Sequence, residues 1–462
     1  MTRRRALDLP AARAARGTVR VPGSKSISIR ALLLASLADG MTTIDGVLRS
    51  DDTMVMIDAL RALGVGIDES SADRVTIRGA AAFPNRSAAV FVGNSGLSIR
   101  TLTAALAFAG GRYELAGVAR MHERPIGDLV DALRAIGARI DYRATDGYPP
   151  FTIEPATLAA PHDGVRRVAV AAHTSSQFLT GVLQAAPMLA ADADLAIDVE
   201  GALISRPYID LTIDLMHRFG VDVREPSAGR FVVARGARYV APAAFQVEGD
   251  ASSASYLLAA GLLGGGPVRV VGIGGRSAQG DARFVDVLVA MGAEVAQEDD
   301  ATVVRSPGVA SGFRLRAIDA DFNHIPDAAM TVAVLALFAD GPCTLRNIAS
   351  WRVKETDRIA AMAAELAKFG ATVEAGRDWL RIEPLSRAAI ATDFEHALRG
   401  EPITVSTYDD HRIAMCFSLA TFLGLPVRIE DPDCVAKTFP DYFERFAELV
   451  TADHAHPARA SA

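Results

Sequence analysis

The chain has 462 residues, half of them hydrophobic and 22% charged; that is more than one core usually organises, so two domains of roughly 200 residues each are expected. A net charge of −7 with no basic stripe excludes a nonspecific nucleic-acid binder, and no uninterrupted apolar run reaches the length of a membrane span. Three scattered cysteines, Cys343, Cys416 and Cys434, and nine histidines without paired spacing supply neither a disulfide framework nor a metal site.

Residues 1–20 are rich in arginine and lack the apolar stretch of a signal peptide, which points to a cytoplasmic protein. From residue 24 onward two kinds of helix alternate. The first is apolar nearly all round and therefore buried: residues 31–38, 101–109, 178–190, 256–263, 328–339 and 413–423. The second is amphipathic and ends in a glycine before a short apolar stretch: residues 58–64, 131–137, 214–220, 286–292 and 364–370. Each of those glycines reads as a helix C-cap. They fall 73, 83, 72 and 78 residues apart, the period of a supersecondary unit with two helices and several strands. A sixth copy begins near Asp441 and is cut off at the end of the sequence.

Every buried helix opens on a polar cluster: Ser24-Lys25-Ser26, Asn94-Ser95-Gly96, Ser175-Ser176-Gln177, Asp250 with Ser252 and Ser253, Asn323 to Asp327, and Asp409-Asp410-His411-Arg412. Capping accounts for the serines and aspartates. It does not account for Lys25, Arg30, Arg100 or Arg412, because a cation at a helix N-terminus opposes the macrodipole unless an anion lies between them. Arg124, just before Pro125, and Arg358 also fall at helix starts. The choice of cation adds to this: of 48 basic residues only Lys25, Lys354, Lys368 and Lys437 are lysine, whose compact, tunable ammonium a guanidinium does not replace in a site. Lys25, Lys354 and Lys437 sit in polar clusters. Lys368 lies two residues before a cap glycine, where any cation suits the helix end. Two local alternatives stay open: Lys354 and Arg358, spaced i, i+4, fit an exposed helical face, and Asp327 after Pro326 fits an ordinary helix start.

Pro22-Gly23-Ser24-Lys25-Ser26 through Arg30, Gly93-Asn94 with Gly96 and Arg100, Arg120 through Gly127, Ser175-Ser176-Gln177, Asp250 through Ser255, Trp351 through Arg358, Asp410-His411-Arg412 and Ala436 through Asp441 together resemble the 5-enolpyruvylshikimate-3-phosphate synthases, within the enolpyruvyl transferases. The resemblance runs in register over about residues 18–448. It implies an α/β fold of two similar domains, three units each, with the buried helices aiming their N-termini at an interdomain cleft. The first domain would span 24–245 and the second 1–23 plus 246–450, with 451–462 a disordered tail. The chain would cross between domains near residues 21–24 and 245–248.

The implied reaction joins the 5-hydroxyl of shikimate 3-phosphate to C2 of phosphoenolpyruvate through a tetrahedral intermediate that expels phosphate. By this resemblance Lys25, Ser26, Arg30, Ser175, Ser176, Gln177, Ser205, Asp327, Ser350 and Lys354 would hold shikimate 3-phosphate. Lys25, Gly96, Arg124, Gln177, Arg358, Arg412 and Lys437 would hold phosphoenolpyruvate. Asp327 would accept the hydroxyl proton, Glu355 would move the proton at the methylene carbon, and Lys25 would reach both substrates. His411 beside Asp410 reads as a structural hydrogen-bonding partner. No cofactor, metal, nucleic acid or membrane is implied, and an acidic monomer is the default.

The sequence departs from the usual family pattern at Ile29 in place of Asn, at Leu97 and Thr101 in place of Thr and Pro, and at Ser350 in place of Asn. The Leu97 and Thr101 changes flank Gly96 and point to weakened inhibition by glyphosate, a phosphoenolpyruvate mimic. Two other functions compete with the first. Enolpyruvyl transfer to a uridine-diphosphate amino sugar is disfavoured because no cysteine precedes Cys343. A non-catalytic anion-binding clamp is disfavoured by Asp327 and Glu355, which no anion needs.

Overall fold

A computed structural model describes residues 5–384 and 401–452. The chain opens with β1 (Ala6–Leu9) and β2 (Ala12–Arg20). Next come α1 (Lys25–Leu37), β3 (Asp39–Asp45), α2 (Asp51–Ala62), β4 (Gly66–Ser71) and β5 (Arg74–Ala80). Then follow β6 (Ser87–Phe91), α3 (Gly96–Leu106), β7 (Arg112–Ala116), α4 (Gly127–Ala135), β8 (Arg139–Tyr142) and β9 (Phe151–Glu154). The next stretch holds β10 (Val165–Ala171), α5 (Ser176–Leu189), β11 (Asp194–Glu200), α6 (Pro207–Arg218), β12 (Val223–Ser227), β13 (Arg230–Val233) and β14 (Ala244–Gln246).

After residue 250 come α7 (Ala251–Gly264), β15 (Gly265–Val271), α8 (Phe284–Met291), β16 (Glu294–Gln297) and β17 (Ala301–Arg305). They are followed by β18 (Asp319–Asp321), α9 (Ala329–Leu335), β19 (Cys343–Arg346), α10 (Arg358–Ala367), β20 (Thr372–Ala375) and β21 (Leu380–Glu383). The last stretch contains β22 (Ile403–Val405), α11 (His411–Ser418), β23 (Val427–Glu430), α12 (Tyr442–Leu449) and β24 (Val450–Ala452).

The sheets share one order. In β6-β7-β9-β8 the first pair is parallel and the rest antiparallel, and the same holds for β10-β11-β13-β12 and β18-β19-β21-β20. The parallel pair needs a crossover, and the all-apolar helix supplies it: α3 joins β6 to β7, α5 joins β10 to β11, and α9 joins β18 to β19. Burial follows from composition. All fourteen residues of α7 are buried, as expected for a helix without a polar face.

Two sheets exchange their leading strands. β2 pairs in parallel with β15, while β14 pairs in parallel with β3, so each sheet takes its first strand from the other half of the chain. Consequently the chain crosses twice, and the crossings lie side by side: Ser24 N–H donates to Glu248 O (2.8 Å) and Asp250 N–H to Pro22 O (2.8 Å). Two hydrophobic cores result. One gathers buried residues from Ile27 to Val247, the other combines Leu9 to Val21 with Ala251 to Leu449. The last sheet, β22-β23-β1, is completed by the N-terminal strand, antiparallel to β23.

Most of the buried helices begin earlier than hydrophobicity alone indicates, because their polar clusters form the first turns: α1 starts at Lys25 and α5 at Ser176, whereas α9 starts only at Ala329, beyond its cluster. The glycines expected as C-caps, Gly64, Gly137, Gly220, Gly292 and Gly370, all adopt positive φ. One expectation is corrected. Thr451 and Ala452 do not belong to a tail but lie in β24, antiparallel to Ala12–Ala15 of β2, because the backbone groups at that edge of the sheet are free to pair with a further strand. Residues 453–462 lie outside the described residues. Among the described residues, no helix is long and apolar enough to cross a membrane.

Candidate active site

The first turns of α1, α3, α5 and α6 face the segment 350–358, Asp327 and Arg412 across a cleft of about 860 Å³. Its walls include Lys25, Ser26, Arg30, Gly96, Arg124, Ser175, Ser176, Gln177, Ser205, Asp327, Ser350, Lys354, Glu355, Arg358 and Arg412. Of the sequence-predicted residues only Lys437 does not line it. Lys437 stands behind the wall, where its Nζ donates to Asp52 Oδ1 (2.6 Å) and Asn94 O (3.1 Å). Because Lys25 Nζ lies 3.4 Å from Asp52 Oδ2, one carboxylate joins both lysines. Asp52 lines the cleft and was not singled out from sequence; an acidic residue in a first turn, here after Asp51 in α2, has an ordinary explanation in the helix dipole.

On the other side three carboxylates converge on Arg358. Its Nε donates to Asp410 Oδ2 (2.7 Å), Nη1 to Asp327 Oδ1 (3.0 Å) and Nη2 to Glu355 Oε2 (2.8 Å). Arg412 Nη2 donates to Asp327 Oδ2 (2.9 Å), and Lys354 Nζ lies 3.7 Å from Asp327 Oδ1. Burial pushes the Asp327 carboxyl up, but Arg412, Lys354, Arg358 and Lys25 outweigh it and hold the group well below the usual carboxylate range. Burial likewise raises Glu355, but Arg358, Arg124 and Lys437 outweigh it and hold the group well below the usual carboxylate range. Burial lowers Lys354 against the opposing pull of Asp327. Both carboxylates are therefore ionised in this arrangement.

Two local alternatives are thereby overturned. Helix α10 begins at Arg358, capped by Asp357, so Lys354 and Glu355 precede it and cannot form an exposed helical face. Asp327 caps nothing: α9 begins at Ala329 without a side-chain cap, and the carboxylate turns into the cleft to meet its cations. Asp410 combines both roles, capping α11 through Arg412 N–H (3.0 Å) while holding Arg358. His411 does not hydrogen-bond Asp410. Both ring nitrogens are buried without a partner, and burial with Arg412 and Lys25 nearby holds the imidazole well below its usual value, hence neutral.

The arginines of the first core are held differently. Arg30, 1% exposed, donates to Thr212 Oγ1 (2.9 Å) and Ser26 O (3.0 Å). Arg100 donates to Gln177 Oε1 (2.6 Å) and Pro125 O (2.8 Å), Arg124 to Asn94 O (2.8 Å). Burial lowers Arg30 to about 10 and, with Arg124 adding repulsion, Arg100 to about 9. The Nε atoms of Arg100 and Arg124 are buried without partners. An anion in the cleft would relieve that cost. Gly96 sits against these guanidinium groups, and a Cβ there would run into Arg124 and Arg100. Arg120 clasps the opposite wall from outside, donating to Glu355 O and Lys354 O (both 3.0 Å).

Tyr208 was also missed from sequence. It follows Ser205 by one turn at the start of α6, and its hydroxyl lies 3.3 Å from Asp327 Oδ2. An aromatic in a first turn carries no sequence signal of its own. Among the described residues, no group of His, Cys, Asp and Glu is arranged to hold a metal ion.

Comparison with known proteins adds an independent line. The family model for EPSP synthase (3-phosphoshikimate 1-carboxyvinyltransferase) matches residues 11–446. A curated Bordetella petrii protein named 3-phosphoshikimate 1-carboxyvinyltransferase is 56% identical over 453 residues, 98% of each chain. One of the same name from Herminiimonas arsenicoxydans is 56% identical over 450 residues, 96% of this chain and 97% of the relative. Among solved structures, EPSP synthase from Acinetobacter baumannii matches with a TM-score of 0.74 at 26% identity, over 96% of this chain and 98% of that one. The enolpyruvyl transferase NikO from Streptomyces tendae, 18% identical, shares the fold with a TM-score of 0.71 over 98% of this chain and 99% of that one.

Proposed function

The chain belongs to the EPSP synthase family, and we propose how its cleft residues divide the work of that family's reaction. The protein transfers the enolpyruvyl group of phosphoenolpyruvate to the 5-hydroxyl of shikimate 3-phosphate and releases phosphate. Both substrates carry phosphate and carboxylate groups, which call for convergent cations, and arginine forks accept such oxygens in pairs. Lys25, Ser26, Arg30, Ser175, Ser176, Gln177, Ser205, Ser350 and Lys354 hold shikimate 3-phosphate. Lys25, Gly96, Arg124, Gln177, Arg358 and Arg412 hold phosphoenolpyruvate, and Lys437 joins them by exchanging its contact with Asp52 for one with the substrate anion.

Asp327 takes the proton of the 5-hydroxyl as its oxygen bonds to C2. Glu355, ionised before substrates bind, must first take up a proton from solvent as the substrate anions draw its cations away; it then delivers that proton to the methylene carbon and recovers it when the bond to phosphate breaks. The observation that carries this division is the contact of Asp327 with Arg358, Arg412 and Lys354. Those cations make Asp327 a weak base. Substrate anions compete for the same cations, so binding raises the proton affinity of Asp327 where the hydroxyl arrives.

Each hydrophobic core with its three sheets acts as one domain, residues 24–245 against 1–23 with 246–452, closing about the paired crossings to exclude water. The enzyme works as a cytoplasmic monomer. Phosphate release from phosphoenolpyruvate tests the assignment, with shikimate 3-phosphate, with a uridine-diphosphate amino sugar and with no acceptor. Release with the first acceptor alone is expected; release with the amino sugar, or none at all, refutes it.

A further inference from the structure

Behind Asp327 lies a second buried carboxylate that the reaction as described does not use. Asp281 sits in a short 3₁₀ turn, Gly280–Arg283, and is 5% exposed. Its Oδ2 accepts from Ser252 Oγ and lies 3.5 Å from the Tyr208 hydroxyl, which is itself 3.3 Å from Asp327 Oδ2. Asp281 Oδ1 is buried without a hydrogen-bond partner. Among the described residues no cation is within ion-pair distance of Asp281, in contrast to the three on Asp327. The charged groups acting on it are Asp327, then Arg412, whose positive charge opposes the others, and Asp250 at the start of α7. On its own turn, Arg283 points away to the exposed Asp286.

A phenolic hydroxyl has one hydrogen, so Tyr208 can donate to one of the two carboxylates at a time. We propose that Asp281 is a positioning residue which, through the Tyr208 hydroxyl, governs whether Asp327 can take the proton of the acceptor hydroxyl. When Asp281 is ionised, Tyr208 donates to it, and the nearby negative charge strengthens Asp327 as a base. When Asp281 is protonated, Tyr208 donates to Asp327, stabilises its carboxylate and weakens it as a base. Burial, together with the charge of Asp327, pushes the Asp281 carboxyl up to about 7, so the changeover falls within an ordinary assay range. The two carboxylates titrate as a pair, and the changeover belongs to the pair.

The inference rests on the proton-acceptor role of Asp327. It is tested by kcat/KM for shikimate 3-phosphate between about pH 5.5 and 9 in the wild type, Asp281→Asn, Tyr208→Phe and Asp327→Asn. Asparagine mimics the protonated acid. Asp281→Asn should therefore match the wild type within about twofold at pH 5.5 and fall at least about tenfold behind at pH 8.5. A purely structural defect lowers activity by one factor at every pH, and a constant ratio overturns the inference. If Asp281→Asn does not fold, Tyr208→Phe decides: the rise in activity through pH 7 should shrink below about threefold, and an undiminished rise overturns it. Activity retained by Asp327→Asn would instead sink the acceptor role itself, whatever the other variants show.

Discussion

Arg358→Lys isolates geometry from charge at the centre of the cleft. The guanidinium, with a side chain only 1% exposed, gives three nitrogens to three carboxylates, at 2.7 Å to Asp410, 3.0 Å to Asp327 and 2.8 Å to Glu355. An ammonium keeps the positive charge but is a single nitrogen on a shorter reach, and it serves one of the three well. Two charge-assisted hydrogen bonds are then lost, at about 1.5–3 kcal/mol each, or roughly 3–6 kcal/mol in all. That agrees with the about 3–5 kcal/mol typical of breaking a buried ion pair. Stability is read by urea unfolding followed through the fluorescence of Trp351, which is fully buried beside the site and donates to Pro326 O (2.7 Å). Turnover should fall by at least about tenfold, because Asp327 and Glu355 lose their orientation. A loss under about 1 kcal/mol with turnover within about twofold refutes the three-way anchor.

Lys25→Arg, Lys354→Arg and Lys437→Arg should each lower turnover at least about tenfold, or roughly 1.4 kcal/mol, whereas Lys368→Arg should not. Equal tolerance at all four would make the scarcity of lysine an accident of composition. Because the folded-state carboxyls of Asp327 and Glu355 are held below their ordinary range, the stability they contribute is present above about pH 4 and is lost as pH falls through the lowered values. Asp327→Asn should accordingly lie closer to the wild type in urea midpoint at pH 3 than at pH 7; a gap that widens on acidification contradicts this. Thr101 Oγ1 donates to Leu97 O (3.0 Å) within α3. Replacing Leu97 by Thr together with Thr101 by Pro should lower the inhibition constant for glyphosate, and an unchanged constant removes the link between these two positions and inhibition.

Much of the frame was legible because it is written in local signals. A glycine after an amphipathic stretch marks a cap, and an all-apolar helix marks a buried crossover, so the two helix types could be placed from sequence. The exchange of leading strands, β2 onto β15 and β14 onto β3, left no local signal, since strand pairing is long-range; the family resemblance, not the local pattern, placed the crossings. In the cleft, cations at helix N-termini stood out because capping could not explain them. Asp52, Asp281 and Tyr208 did not, because each has an ordinary local explanation in a first turn or a polar loop. Lys368 has a further contact that its position at a helix end did not disclose. Besides suiting a helix end, its Nζ pairs with the fully buried Glu365 (2.6 Å), which also accepts from Ser406 N–H and Tyr408 O–H. It therefore helps anchor the segment leading to Asp410 and Arg412.

The two walls of the cleft differ in how their cations are satisfied, and that difference matches the division of labour. On the wall formed by the second core, Arg358, Arg412 and Lys354 already have carboxylate partners, so their charge is spent on orienting Asp327 and Glu355. On the wall formed by the first core, Arg30, Arg100 and Arg124 rest on hydroxyls, carbonyls and an amide. Burial depresses Arg30 and Arg100, the mark of charge held at a cost. That cost is relieved only when an anion arrives, which makes this wall the stronger ground-state binder. The opposite wall gains less from binding an anion, because each new contact displaces an existing one. What it gains is a stronger base, since every cation drawn toward substrate is withdrawn from Asp327. On the proposed role of Asp327, the arrangement couples substrate binding to the proton affinity of the acceptor.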